Sequence, residues 1–269
     1  MVRPALSDGP ARALADRAAD PLHDDPSGLE ALWGSARAGD RPFDPGELAH
    51  LPEPAQRYLA HAIAAGTPLA TAVRLRMRGA IRLSRWWPFR ADQVIVRDRG
   101  MVWRATARMR GLPIRGFDRL LDGVGAMQWR IFGRIPIIRA AGPDITRSAA
   151  GRVAAESIWL PSILCGAGVS WQVGAASTVH ARFAVEGHPA DLSLAFEQGG
   201  LRSVALQRWG NPGGGRFREV DFGAIVEQEA TFGGYTIPAR LRAGWYFGSE
   251  RFDSEGEFLR VTIDDAAFR

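Results

Sequence analysis

The sequence predicts a β-rich α+β fold, in which an antiparallel, partly closed barrel (a half-barrel) wraps around two or three helices. Three observations predict it. Apolar and polar residues alternate from residue 73 onward, short strand-like runs joined by turns follow residue 169, and an apolar helical segment near 144–164 separates the two sets. Strands joined by short turns are typical of an antiparallel meander.

Composition indicates a soluble folded protein. The chain has 269 residues, of which 46% are hydrophobic and 23% charged, as in ordinary globular domains. No apolar run reaches the roughly 20 residues of a membrane-spanning helix, and the N-terminus has no apolar core of the length that a secretory signal requires. We therefore expect a cytoplasmic protein with no integral membrane segment.

Charge and cysteine content argue against a nucleic-acid partner, an internal disulfide and a cysteine-based metal site. All 34 of the Lys and Arg residues are arginine, but they are scattered among acidic residues and the net charge is only +5. Nucleic-acid binders usually concentrate positive charge on one face or tail, so no nucleic-acid partner is expected. The single cysteine, Cys165, excludes an internal disulfide and a cysteine-based metal site.

The N-terminal part divides into a lead-in and a folded domain. Residues 1–45 are expected to form a mobile or partly helical lead-in, with a short helix at 29–38 that carries Trp33. Residues 46–269 predict a single β-rich domain. Its first element is a helix between Pro52 and Gly66, because prolines and an acid open the segment and a glycine closes it.

The first strands follow this helix. In Val73–Leu83 apolar residues alternate with Arg74, Arg76, Arg78 and Arg82, which predicts a strand with one buried face. The arginine row is interpreted as a solvated outer face, and a surface for an anionic partner is the alternative. After this strand we expect a turn at residues 86–89, a hairpin formed by 91–97 and 101–109, and irregular chain at 112–121. Two further strands are expected at 126–132 and 135–138.

The central helix begins near Asp144, a plausible N-cap, and ends near Trp159, ahead of Pro161. The run 155–171, which begins in this helix, is the most apolar of the chain, and Glu156 is its single charge. Seven further strands are then predicted, at 169–173, 178–185, 190–196, 201–207, 220–229, 236–247 and 258–263.

The order of several short motifs resembles an uncharacterised bacterial family, a domain of unknown function, over roughly residues 50–265. The matching residues are Pro54, Arg57-Tyr58-Leu59, Gly66, Arg78-Gly79, Trp86-Trp-Pro-Phe89, Val102-Trp-Arg-Ala105, Asp118, Gly123-Val-Gly125, Glu156-Ser-Ile-Trp159-Leu-Pro161, Trp171, Arg208, Ile237-Pro238 and Trp245. The resemblance implies a half-open barrel like that of lipoprotein carriers, but no activity. Residues 162–165, Ser-Ile-Leu-Cys, depart from the expected Thr-Ala-Leu-Leu.

Glu156 is the principal candidate for chemistry. A carboxylate in an apolar segment has a raised pKa unless it is paired, and it then exchanges a proton near neutrality. Asp118 and Asp122 are further catalytic candidates, and Arg208 is expected to pair with Glu156 or to bind an anionic ligand head. The alternative is a structural Glu156–Arg208 ion pair, or Glu156 bonded to backbone amides, that pins the helix to the sheet.

Large aromatic residues are the candidate lining of a cavity. Nine tryptophans are many for this length, and ordinary core packing is the alternative role for most of them. Those in or beside predicted core elements are Trp103, Trp129, Trp159, Trp171 and Trp245. The five histidines include no pair at metal-ligand spacing, so neither a metal nor another cofactor is expected.

These observations favour a protein that binds a hydrophobic or lipid-like small molecule in an apolar barrel cavity. The alternative is a cofactor-independent acid–base enzyme, a cyclase, isomerase or hydrolase, that uses Glu156 in the same cavity. A third class is an interaction protein that presents the arginine face to an anionic partner. The sequence leaves the ligand's identity and the oligomeric state open.

Overall fold

One antiparallel sheet of 13 strands organises the chain. A computed structural model describes residues 28–175, 178–197 and 199–269. The strand order is β6-β5-β4-β3-β2-β1-β13-β12-β11-β10-β9-β8-β7. The sheet does not close on itself, so the predicted half-barrel is confirmed.

The strand bounds follow in chain order. They are β1 Ala72–Arg82, β2 Trp86–Val96, β3 Gly100–Met109, β4 Leu112–Leu121, β5 Val124–Ile131, β6 Ile135–Ala141, β7 Ser170–Val173, β8 Thr178–Val185, β9 His188–Glu197, β10 Gly200–Gly210, β11 Arg218–Phe232, β12 Tyr235–Trp245 and β13 Glu257–Phe268. The α-helices among the described residues are α1 Gly28–Ser35, α2 Glu53–Ala62 and α3 Pro143–Glu156, with shorter 3-10 or π turns at 45–50, 157–159, 161–165 and 252–256.

The two outer strands of the sheet are consecutive in the chain. β6 and β7 are the edges, and the segment that joins them contains α3 and the two 3-10 turns that follow it. This connection crosses the concave face, where Ala154, Leu160 and Leu164 are fully buried. The first and last strands, β1 and β13, pair at the centre of the sheet. The central helical segment therefore fills the half-barrel, as its apolar sequence predicts.

The convex face carries a small second core. Leu29 and Leu32 of α1 pack on Val94 and Val102, whose side chains point outward from β2 and β3. Glu30 of the same helix accepts two hydrogen bonds from Arg74, at 2.6 and 3.0 Å. The outer arginine face is thus partly covered rather than wholly solvated. Predictions made for residues 1–27 lie outside the described residues.

Two strand predictions are corrected. Residues 112–121 form β4 rather than irregular chain, and residues 86–89 begin β2 rather than making a turn. The turn before β4 is Arg110-Gly111, in which both residues have positive φ, 49° and 82°. Two positive φ values suit a tight hairpin, but arginine is uncommon in that conformation, so the turn has no strong sequence signal.

The start of α3 also differs from the prediction. The N-cap position is Gly142, and no side chain caps the helix. Asp144 instead accepts a hydrogen bond from the Trp209 indole at 2.8 Å. The end of the helix agrees with the prediction, because α3 ends at Glu156 and a 3-10 turn reaches Trp159. No helix among the described residues is long and apolar enough to span a membrane.

Candidate functional site

An apolar cavity of about 440 Å³ lies between the concave face of the sheet and α3. Ligand pockets in proteins are typically about 300–1,000 Å³. Its walls come from both halves of the sheet and from the helical connection. The predicted site residues that line it are Trp103, Asp118, Trp129, Glu156, Trp159, Arg208 and Trp245.

Local sequence explains why these side chains converge. Trp103 and Asp118 are register partners on β3 and β4, so both point to the concave face. Gly116 is the register partner of Trp129, and a Cβ at position 116 would stand 2.3 Å from the Trp129 ring. Glycine there lets the indole lie across β4, with its ring centroid 5.7 Å from that of Trp103.

Glu156 takes part in a buried polar network. Its Oε1 accepts a hydrogen bond from Arg152 Nε at 2.7 Å, and its Oε2 accepts one from Gln93 Nε2 at 2.5 Å. Arg152 Nη1 donates to Asp118 Oδ2 at 2.7 Å. Arg152 thus joins two carboxylates, and the network connects α3 to β2 and β4.

This arrangement corrects the predicted partner of Glu156. Neither Arg208 nor backbone amides hold the carboxylate; Arg152, one helical turn away, does. Burial alone would lower the pKa of Arg152, but the charges of Glu156 and Asp118 outweigh burial and raise it. The guanidinium also stands 4.9 Å from the centroid of the Trp103 ring. Arg152 is therefore held in the charged state.

Asp118 is the less satisfied of the two carboxylates. Its Oδ1 is buried and makes no hydrogen bond of normal geometry with any described residue. Burial raises the pKa of Asp118, against the lowering effects of Arg152, Arg208 and the nearby Trp129 indole. A carboxyl group with a raised pKa beside a cavity is suited to proton transfer.

Arg208 is a cation without a carboxylate partner among the described residues. Its Nε donates to the Ser148 carbonyl of α3 at 3.0 Å. Its guanidinium lies 4.7 Å from the Phe222 ring centroid and 4.9 Å from that of Trp245. Burial, together with the charge of Arg152, lowers its pKa to about 10. Glu156 and Asp118 act in the opposite direction on its pKa, but neither forms an ion pair with it.

Two predicted site residues lie outside the cavity. Asp122 is exposed on the β4–β5 turn, where Arg99 donates to both of its oxygens at 2.9 and 3.0 Å. This pairing lowers the pKa of Asp122. Trp171 is partly buried on β7 and packs against the main core. Neither residue lines the cavity that contains Glu156.

Sequence reasoning missed Arg152, Gln93 and Phe222, the second ring beside Arg208 after the predicted Trp245. The spacing of Arg152 and Glu156, four residues apart on a helix, is a signal that predicts a pair. Gln93 interrupts the apolar inward face formed by Ala91 and Ile95, and it is fully buried. A polar residue on an apolar face indicates a buried partner.

Histidines and acids do not form a metal site in the described part of the chain, where no three His, Cys, Asp or Glu side chains come together. His180 is paired with Asp191, its Nδ1 lying 2.8 Å from the carboxylate, in an exposed position. Arg182 binds the other oxygen of the same carboxylate. Both oxygens of Asp191 are thus engaged by side chains.

Comparison with known proteins gives a family and distant structural similarities. Residues 41–254 match a family of unknown function, DUF6544. A domain described as an outer membrane lipoprotein-sorting protein from Vibrio parahaemolyticus has a TM-score of 0.41 at 6% identity, covering 74% of this chain and 85% of its own. A LolA superfamily protein from Nitrosomonas europaea has a TM-score of 0.40 at 10% identity, covering 80% and 92%. No curated protein matches the sequence.

Proposed function

We propose that this chain, which belongs to the DUF6544 family of unknown function, binds an amphipathic small molecule with a hydrophobic body and an anionic end. The observation that carries the proposal is Arg208. It is a cation without a carboxylate partner among the described residues, and it lines an apolar cavity with four tryptophans. Apolar walls with a few placed polar groups are typical of ligand pockets.

The hydrogen bonds of the two arginines favour an anionic ligand end over a neutral or cationic one. Arg152 is matched by Asp118 and Glu156, at 2.7 Å from each. Arg208 has only the Ser148 oxygens as hydrogen-bond acceptors among the described residues. A carboxylate or phosphate of the ligand would supply the missing charge-assisted hydrogen bonds. The aromatic walls would hold the hydrophobic body.

The test compares palmitate with hexadecanol, which differ in the anionic end. We expect wild-type protein to bind palmitate more tightly, by isothermal titration calorimetry on delipidated protein. Arg208→Met keeps an apolar stem of similar length and removes the charge. It is expected to weaken palmitate binding about 10- to 100-fold, since a charge-assisted hydrogen bond contributes about 1.5–3 kcal/mol, and to change hexadecanol binding little.

Arg147→Met is the matched control. Arg147 lies on α3, next to the Ser148 that Arg208 contacts, but it is exposed and paired with Glu219 at 2.5 Å. The Arg147→Met substitution should leave the affinities for palmitate and hexadecanol unchanged. Equal weakening of palmitate and hexadecanol by Arg208→Met, or failure of both to bind wild-type protein, would contradict the proposal. Native mass spectrometry of freshly purified protein would show the mass of any molecule that copurifies.

An acid–base enzyme in the same cavity is the second candidate, and the state of Asp118 favours it. Its buried Oδ1 lacks a hydrogen bond among the described residues and its pKa is raised, whereas both oxygens of Glu156 are engaged. Asp118 therefore replaces Glu156 as the preferred acid–base residue. Turnover of a copurified molecule that is lost in Asp118→Asn, with binding retained, would support this function.

A further inference from the structure

We propose that the open end of the half-barrel docks on an anionic phospholipid bilayer. The docking surface consists of three hairpin tips, residues 83–85, 110–112 and 132–135, which we name the rim. The observations behind it are the positions of these tips, their exposed apolar side chains and their charge. None of them depends on the ligand that the cavity holds.

The three tips lie at one end of the sheet. β1 to β6 lie side by side in chain order, and in an antiparallel meander successive connections lie at alternate ends of the sheet. The connections β1–β2, β3–β4 and β5–β6 therefore lie at the same end. The last register pairs are Arg82 with Trp86, Met109 with Leu112, and Ile131 with Ile135. The rim is therefore one continuous border across six strands.

Each tip exposes a large apolar side chain. Leu83 is 58% exposed, Leu112 44%, Phe132 55% and Ile135 60%. Most of the large exposed apolar residues in the described part of the chain lie in the rim or in the adjoining β6, where Ile137 and Ile138 are also exposed. Such clustering indicates an interaction surface rather than scattered exposure.

Phe132 adds a conformational observation. Its φ is 53°, in the left-handed region, which is unfavourable for a bulky residue other than glycine. Gly133 follows with a φ of 69°, so the pair has the two positive φ values of a tight hairpin turn, as Arg110-Gly111 does. The conformation presents an aromatic ring at the outermost turn of β5 and β6, where it has no role in the core.

Each tip also carries an exposed arginine, namely Arg85, Arg110 and Arg134. No aspartate or glutamate occurs in residues 72–91, 100–117 or 123–143, which form the tips and much of their strands. Behind the tips, the register places arginines of β1, β2, β4 and β5 in one cross-strand row with a threonine of β3. Its members are Arg78, Arg90, Thr106, Arg115 and Arg130.

Acidic residues near this end are largely neutralised. Ser254 accepts a hydrogen bond from Arg82, so the β12–β13 connection lies beside the first tip. Of its acids, Asp253 pairs with Arg242 and Glu255 with Arg251. Glu250, also on this connection, is the remaining acid there. The net field of the rim is positive.

The combination of apolar and cationic side chains favours a bilayer over other anionic partners. Aromatic and aliphatic side chains enter the boundary between headgroups and acyl chains while arginines bind lipid phosphates. A nucleic acid would use the arginines without needing Leu83 or Phe132. A second copy could add to the edge strand β6, but Pro136 and Arg139 on that strand disfavour pairing.

The cavity opens beside the rim. Leu83, Ile137 and Ile138 line the cavity and are exposed to solvent. A protein docked by the rim would therefore hold the cavity mouth against the lipid surface. The inference that a ligand passes between bilayer and cavity in this orientation rests on the proposed function, whereas docking itself does not.

The experiment is cosedimentation of full-length, delipidated protein with sucrose-loaded vesicles. Vesicles of phosphatidylcholine alone are compared with vesicles containing 30% phosphatidylglycerol. We expect binding to the anionic vesicles only, weakened but not abolished as salt rises from 0.05 to 0.5 M, because the apolar contacts are not screened. Circular dichroism checks that each variant is folded.

Two sets of substitutions separate charge from insertion. Replacing Arg85, Arg110 and Arg134 by Gln should weaken binding about fivefold per residue, or roughly 100-fold together. Replacing Leu83, Leu112 and Phe132 by Ser should remove the salt-resistant part of the binding. The charge control replaces Arg57, Arg202 and Arg240, which are exposed but paired. The apolar control replaces Val124 and Val173, which are exposed outside the rim.

Several outcomes would overturn the proposal. One is that the protein does not bind anionic vesicles at low salt, and another is that the control variants lose as much binding as the rim variants. A third is that the apolar substitutions have no effect on vesicle binding and the protein binds heparin equally tightly. Dimerisation at the working concentration that the Leu83, Leu112 and Phe132 substitutions abolish would assign the rim to a second copy instead. Palmitate binding and its dependence on Arg208 are measured without vesicles, so failure of this proposal and failure of the proposed function are distinguishable.

Discussion

Arg152 and Arg208 differ in their partners, although both lie in the same cavity wall. Arg152 is neutralised by two carboxylates, so its charge binds α3 to β2 and β4. Arg208 has none among the described residues, and its pKa of about 10 reflects an unfavourable environment for the cation. This difference in partners is the observation on which the proposed binding role of Arg208 rests.

At Glu156 the predicted effect is on stability. Glu156→Gln removes the charge that faces Arg152, so the free energy of unfolding should fall by about 1–3 kcal/mol. Palmitate affinity should change less than it does in Arg208→Met. Urea denaturation measures the first quantity and calorimetry the second.

Glu219→Gln serves as the matched control for this prediction. Glu219 forms an exposed pair with Arg147 at 2.5 Å, and exposed pairs contribute about 0–1 kcal/mol. If Glu156→Gln were no more destabilising than Glu219→Gln, the network would not be what fixes the helix to the sheet.

At the scale of the element, α3 is built to approach the sheet closely. Gly151 lies in the middle of the helix, where glycine is about 1 kcal/mol less favourable than alanine. A Cβ at this position would stand 2.9 Å from Arg208 Cγ. The glycine therefore gives space to the stem of the arginine that faces the cavity.

Gly151→Ala should consequently affect binding more than stability. The gain in helix propensity offsets the displacement of Arg208, so the free energy of unfolding should stay within about 1 kcal/mol of wild type. Palmitate binding should weaken roughly tenfold, because the guanidinium loses its position against Ser148 and Trp245. Urea denaturation and calorimetry again provide the two measurements.

An Arg208→Ala background tests whether the close contact between Gly151 and Arg208 is what requires the glycine. In Arg208→Ala the long side chain is absent, and Gly151→Ala should then stabilise the protein by about 0.5–1 kcal/mol. A destabilising effect in that background would mean that the glycine serves backbone packing and not Arg208.

At the scale of the whole molecule, the pairing of β1 with β13 joins the two halves of the sheet through residues far apart in sequence. The helical connection between β6 and β7 packs against strands of both halves. We therefore expect core groups far apart in the chain to unfold in one cooperative transition, so that the titration of a buried group affects global unfolding.

The pH dependence of unfolding follows from two such groups. Burial raises the pKa of Cys165 from 9.0 to about 11, and burial also raises that of Tyr58, whose hydroxyl lacks a partner among the described residues. The folded state keeps these protons while the unfolded state releases them, so stability is lost as pH rises. Between pH 9 and 10 the thiol alone should lower the free energy of unfolding by at most about 1 kcal/mol.

Denaturation at pH 8, 9 and 10 measures this loss, and Cys165→Ala should remove most of it. Tyr58→Phe should be neutral or stabilising at pH 7, since it deletes an unpaired buried hydroxyl. Above pH 10 Arg208 acts in the opposite direction, because its lowered pKa releases a proton from the folded state first. A Cys165→Ala profile identical to wild type between pH 9 and 10 would exclude the thiol as the cause.

The sequence by itself determined the local elements wherever periodicity was strong. The alternation in 73–83 and the short runs after residue 178 indicate antiparallel strands, and the apolar segment around Glu156 indicates a buried helical connection. Each signal is local, because it depends on which face of one element is buried. Where a turn used an unusual residue, as at Arg110-Gly111, the following strand was missed.

Only the tertiary structure decided which charges meet. Glu156 pairs with Arg152 and Gln93 rather than with Arg208, and Asp118 joins them while Asp122 does not. The partner of a buried charge depends on the register and curvature of strands that are distant in the chain. The same holds for the rim, because three short tips become one surface only when six strands are aligned. Periodicity shows what is buried, and the alignment of distant strands determines what each buried or exposed group contacts.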